Sequence, residues 1–104
     1  MAWVVLILSG LLETVWALAL EASRGFTRPL PSLVFLAAMA LSMGGLALAL
    51  RSIPVGTAYA VWVGIGAVGT AAAGMVWLGE PVSVGRIVCL LLIIGGVVGL
   101  NLLS

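Results

Sequence analysis

Histidine is absent from this sequence of 104 residues, cysteine occurs once, and charge is scarce: four Lys or Arg and three Asp or Glu make up 7% of the chain. Each shortage excludes something. Without histidine and with a single cysteine, no metal site of the His/Cys kind is indicated, and no intrachain disulfide is possible. Cys89 sits inside an apolar run and reads as a small buried hydrophobe. The net charge is +1, with no basic tail or patch, so nucleic-acid binding has no support. There is no nucleophile–base pair and no phosphate loop, so neither an enzyme nor a bound cofactor is expected. Gly64-x-Gly66-x-x-Gly69 spells a dinucleotide fingerprint, but it lies within an apolar run without the strand–turn–helix context that would give it meaning. A soluble domain carries roughly 25% charged residues. With 64% hydrophobic residues and a mean hydropathy of +1.42, the solvent that suits this chain is a lipid bilayer.

What is present is organised by its few charges. Met1–Leu20 is apolar except for Glu13. Glu21 to Pro31 holds three charges, a glycine and two prolines, and reads as an interfacial loop. Further apolar runs follow, separated by Arg51-Ser-Ile-Pro54 and by Gly79 to Arg86. Each is near the roughly 20 residues that a helix needs to cross the hydrocarbon. Strands are disfavoured, because the runs do not alternate and a transmembrane barrel needs at least about eight of them. The expectation is an all-α membrane protein: one transmembrane domain over 1–104, with four transmembrane helices at approximately 2–20, 31–50, 55–78 and 86–103. The first run lacks a positive leader segment and reads as a retained span rather than a signal peptide. Trp3 and Trp77 lie near span ends and read as interface anchors, and Glu21 and Glu80 as solvated charges. Arg24, Arg28 and Arg86 lie on one side and Arg51 on the other, a small bias that permits insertion in both orientations. Four short helices can hardly enclose a polar path alone, so an oligomer is expected. Gly95, Gly96 and Gly99 in the last span are the candidate helix–helix contacts.

Glu13 is the most informative residue. By helix rise it lies about 15 Å from either end of its span. A carboxylate there costs at least about 2.5 kcal/mol, and its side chain is too short to snorkel. It must face a cavity or a partner, or carry a proton. A site short of water disfavours the charged form, so such a group holds a proton and gives it up when a cation arrives. That is the core of a proton/cation exchanger. The plainer reading is a buried Glu that clamps two helices. Ser9, Gly10, Trp16 and Ala17 share its helix face. Ser9 offers a hydroxyl, Gly10 leaves room, and Trp16 offers an indole N–H and a π face that attracts cations. Tyr59 and Trp62, three apart in the third span, add aromatic bodies with polar tips. Gly64, Gly66 and Gly69 suit either a hinge or close packing. Ser42 is positioned to bond Glu13 or its own backbone.

These residues resemble the small multidrug resistance family along essentially the whole chain. The likeness rests on Leu12-Glu13, on Gly25-Phe-Thr-Arg28 with Pro31-Ser32, on Ile53-Pro-Val-Gly-Thr-Ala-Tyr-Ala-Val-Trp62, and on Gly64-Ile-Gly66-Ala-Val-Gly69. Trp16 and the Pro-Val-Gly-Thr-Ala-Tyr segment are most similar to the guanidinium exporter subtype. The resemblance implies an antiparallel homodimer in the inner membrane whose two copies of Glu13 line one aqueous pocket. It implies exchange of protons for a guanidinium-like cation. It also assigns Trp16, Ser42, Tyr59 and Trp62 to the pocket, with Ser42 and Trp16 orienting the carboxylate. Three positions depart from the family pattern: Glu21 stands where a basic residue is frequent, Val63 where a hydroxyl is frequent, and Asn101 where guanidinium exporters often carry lysine. The alternatives are an exporter of hydrophobic quaternary ammonium ions and one subunit of a paired heterodimer.

Overall fold

In lipid every backbone N–H and C=O must find its partner inside the segment, which leaves helices for apolar runs of this length. The computed structural model describes residues 1–103 and is all-helical. Helices α1 (Ala2–Ala22), α2 (Pro29–Ala49), α3 (Val55–Trp77) and α4 (Val84–Leu103) are each long and apolar enough to cross a membrane. α2 and α3 each stop one residue earlier than the sequence expectation, at Ala49 and Trp77. Three other ends differ from it by two residues: α4 begins at Val84, α1 continues through Glu21 and Ala22, and α2 already begins at Pro29. Proline suits that first helical position, since its fixed φ is helical and the N–H it lacks would have no partner there.

The turn between α1 and α2 is closed by Ser23, which is fully buried. Its hydroxyl donates to the Leu20 carbonyl at 2.7 Å and accepts the Phe26 N–H at 3.2 Å. Its carbonyl accepts the N–H groups of Thr27 and Arg28 at 2.9 and 3.2 Å. Arg24, Gly25 and Phe26 are all left-handed, with φ of 49°, 73° and 68°. At the other α-hairpin on this side, Gly79 turns the chain with φ 71°. Ser83 accepts the Arg86 N–H at 3.2 Å and caps α4. Arg86 pairs with Glu80 at 3.3 Å across the turn.

α1 packs against both α2 and α3, which also touch each other, and α4 packs against α3 alone. The chain measures 42 × 35 × 17 Å. α2 reaches α3 directly, through the Ser42 hydroxyl and the Trp62 indole, so α1, α2 and α3 form a bundle with α4 set against α3. The exposed surface of 6313 Å² exceeds the roughly 5,500 Å² expected of a compact monomer of this mass. The core gathers at the end where α2 passes to α3, around Leu6, Leu46, Ala49, Ile53, Ala58, Val61 and Trp62. α2 turns one stripe inward: Phe35, Ala38, Ser42, Leu46 and Ala49 are its buried residues, at helical spacing. α4 buries none of its described residues. Cys89, expected to be buried, is exposed there, because α4 leans on α3 and no other helix of the chain covers its remaining surface.

Candidate functional site

The site is set by two helix registers. α1 and α3 run parallel. Gly10 meets Ile65 and the Trp62 backbone, Glu13 meets Gly66, and Thr14 meets Gly69, each step advancing along both helices. α1 and α2 run antiparallel. Ser9 faces Ser42 and Trp16 faces Phe35, and the positions in each pair add to the same number.

Glu13 lies halfway along α1 and is half-buried. Its carboxyl rests on Gly66, where even a Cβ would occupy the space of the carboxyl carbon and Oε2. Glycine is required at that point for the carboxylate to lie flat on α3. Oε2 is buried and has no hydrogen-bond partner among the described residues. The ion pair of Arg86 with Glu80 lies at the far end of α3, and no ion pair reaches Glu13 among the described residues. A buried polar atom left unpaired costs about 1–3 kcal/mol, more when charged. This oxygen is therefore ready to hold a proton or to accept a donor from a cation.

Trp16, one turn on, is half-buried. Its Nε1–H also lacks a partner among the described residues, and its ring meets Phe35 edge to face at 5.9 Å and 77°. Trp62 is 6% exposed. Its Nε1–H donates to the Ser42 hydroxyl at 3.1 Å, and that hydroxyl donates to the Ser9 carbonyl at 2.7 Å. The Ser9 carbonyl is the acceptor that an α-helix assigns to the Glu13 amide. Ser42 thus ties Trp62 to the α1 backbone one turn below the carboxylate, rather than touching the carboxylate or its own backbone. Tyr59 is exposed, with its ring 5.8 Å from that of Trp62. Ser9 is buried, its hydroxyl donating to the Val5 carbonyl at 2.7 Å and its side chain packed on Gly45. Gly10 is buried where α1 crosses α3, within 2.9 Å of Ile65 for an added Cβ.

Three of the five glycines of α3 are each a seat for a neighbouring helix: Gly64 for Val97 of α4, Gly66 for Glu13, Gly69 for Thr14. α3 is unbroken across them. Gly95, Gly96 and Gly99 face open space. Two residues that the sequence reading did not single out belong to the site. Thr14 buries a hydroxyl that has no partner among the described residues, beside Glu13, and Phe35 contacts Trp16. A lone hydroxyl next to the mid-span charge was a usable signal for Thr14. Nothing in an apolar α2 singles out Phe35. A cleft of about 210 Å³ between α1, α3 and α4, walled by Leu11, Ile65, Val97 and other apolar residues, holds no ionisable group. The polar chemistry lies at the carboxylate and not in that void.

A sequence profile of the Small Multidrug Resistance protein family matches residues 1–93. The chain is 56% identical over 104 residues to a guanidinium exporter of Yersinia pseudotuberculosis, covering all of both proteins. It is 53% identical over 102 residues to a guanidinium exporter of Citrobacter freundii, covering 98% of this chain and 97% of that one. A guanidinium exporter of Proteus vulgaris is 48% identical over 104 residues, again over the full length of both. The chain belongs to the small multidrug resistance family and is a multi-pass membrane protein.

Proposed function

We propose that this member of the small multidrug resistance family exports guanidinium and small guanidinyl cations across the inner membrane in exchange for protons, working as a homodimer of two oppositely oriented copies. The observation that carries this reading is the mid-span carboxylate of Glu13, whose Oε2 is buried without a partner among the described residues. Full-length relatives that are guanidinium exporters support the substrate.

The mechanism follows from one group serving two cations. Glu13 holds a proton until a guanidinium approaches. The proton leaves to water, and the freed carboxylate accepts the planar N–H fork of the guanidinium, which matches it in a bidentate way. Binding one cation releases the other. Trp16, Tyr59 and Trp62 offer π faces to the cation. Ser42 keeps Trp62 in place through its bonds to the indole and to the Ser9 carbonyl. One copy leaves Glu13 only half-buried, and a second copy closes the site, placing two Glu13 side chains around one chamber. The open glycines Gly95, Gly96 and Gly99 are the contacts between copies, since small residues let helices approach in lipid. The glycine row Gly64, Gly66 and Gly69 lets α3 shift against α1 and α4 as the chamber changes sides.

The test is exchange in proteoliposomes. Wild-type protein accumulates guanidinium against a proton gradient, and Glu13→Gln, which keeps the shape but has no proton to release, does not. Guanidinium-driven proton flux that survives in Glu13→Gln overturns the reading. Displacement of guanidinium by bulky quaternary ammonium ions at lower concentration would assign the chain to drug export. Activity that appears only with a second, different subunit would assign it to a heterodimer.

A further inference from the structure

The two tryptophans of the site, Trp62 buried and Trp16 half-buried, are held in different ways. Trp62 is fixed by a hydrogen bond to Ser42. Trp16 has none among the described residues, so its indole plane is set by packing. The ring contacts of Trp16 and Trp62 with their aromatic neighbours differ accordingly: Trp62 lies tilted by 40° on exposed Tyr59, whereas Trp16 meets Phe35 nearly at right angles. Phe35 is 8% exposed and in turn holds Phe26, with centroids 5.5 Å apart at 64°. Phe26 belongs to the loop between α1 and α2, the last of three left-handed residues anchored by buried Ser23. Phe35 and Ser42 stand on the same inward stripe of α2, two turns apart.

We propose that Phe35 is the positioning residue for Trp16, and that it links the α1–α2 loop to the cation site through the ring series Phe26, Phe35, Trp16. This rests on the exporter reading above. α2 thereby orients both tryptophans of the site, Trp62 through a hydroxyl and Trp16 through a ring. Edge-to-face geometry fixes the angle between the two rings, because the positive edge of one meets the negative face of the other. Without the Phe35 ring, the indole turns about its side-chain torsions and loses its fixed placement one helical turn from Glu13. Affinity for the cation falls, while proton release from Glu13 itself proceeds. Phe26 acts through the same ring at one remove, so its loss has the same direction and a smaller size.

The test uses the full-length protein in proteoliposomes with guanidinium as substrate. Phe35→Leu keeps apolar volume without a ring and is expected to raise KM by about 3- to 10-fold, the range that one such ring pair supports, with kcat changed less than twofold. Phe35→Tyr keeps the ring and restores KM to within about twofold of wild type, and Phe26→Leu raises KM less than Phe35→Leu. An unchanged KM in Phe35→Leu, or equal damage from Phe35→Tyr, overturns the proposal. Near-ultraviolet circular dichroism reads indole placement without transport. The band lost in Trp16→Phe is expected to be lost in Phe35→Leu and kept in Phe35→Tyr, and its persistence in Phe35→Leu overturns the proposal. If wild-type protein fails to exchange guanidinium, the exporter reading has failed, and the dichroism still decides whether Phe35 orients Trp16.

Discussion

Substituting alanine for Gly66 separates an accidental contact between α1 and α3 from a seat built for the carboxylate. The added Cβ would take the place of the Glu13 carboxyl carbon and Oε2, so the side chain must swing away or α1 must part from α3. Overpacking of this kind costs about 1–3 kcal/mol. Alanine returns about 1 kcal/mol in helix propensity, which leaves a net destabilisation of about 0–2 kcal/mol. Binding suffers more. Charge-assisted hydrogen bonds are worth about 1.5–3 kcal/mol, so a displaced carboxylate weakens guanidinium binding by roughly 10- to 100-fold. The control is Gly85→Ala in the first turn of α4, where the nearest neighbour to an added Cβ is the Ser83 hydroxyl at 3.9 Å. It makes the same chemical change with no steric conflict and leaves affinity unaltered. Calorimetric titration of guanidinium onto the purified variants reads the difference. Wild-type affinity in Gly66→Ala would refute the idea that Gly66 places the carboxylate.

Further outcomes are expected. A double-mutant cycle of Ser42→Ala with Trp62→Phe, read as stability in mixed micelles, gives a coupling of about 0.6–2 kcal/mol, the range for interhelical hydrogen bonds in membranes; strictly additive effects would mean that the 3.1 Å bond contributes nothing. Gly45→Ala, whose Cβ would run into the Ser9 hydroxyl, destabilises the α1–α2 pair by about 1–3 kcal/mol in the same assay. The exposed Arg86–Glu80 pair contributes under about 1 kcal/mol, so Glu80→Gln leaves guanidinium exchange and stability nearly unchanged. Because proton and cation share Glu13, acidification weakens guanidinium binding, and the slope of log Kd against pH counts the protons displaced, as linkage requires.

The spans and the central acid were legible from the sequence for one reason. In an apolar chain each charge is conspicuous, so Glu13 stands out and the remaining charges mark the connections. Contacts between helices were far less legible. In a soluble protein the buried stripe of a helix is written in its hydrophobic periodicity, whereas lipid is as apolar as the core and every face of α2 reads alike. Phe35 therefore looked no different from Leu36, and the Ser9 carbonyl, as a backbone group, gave no sign that Ser42 would choose it. The glycines of α3 showed that something comes close. Only the parallel register with α1 assigns Gly66 to Glu13 and Gly69 to Thr14. The exposure of Cys89 depends on α4 having a single neighbour within the chain, which its own composition does not reveal. The α1–α2 loop proved shorter than its charges suggested, because Glu21 completes a helical turn and Pro29 opens the next helix.

A single acidic group shared in turn by H⁺ and an organic cation is the centre of the proposed exchange. The most direct measurement is proton release on guanidinium binding, followed with a pH indicator in weakly buffered detergent solution. Wild-type protein should release protons in proportion to the guanidinium bound, and Glu13→Gln should release none. Saturable guanidinium binding with no proton released, or the same release from Glu13→Gln, would contradict it.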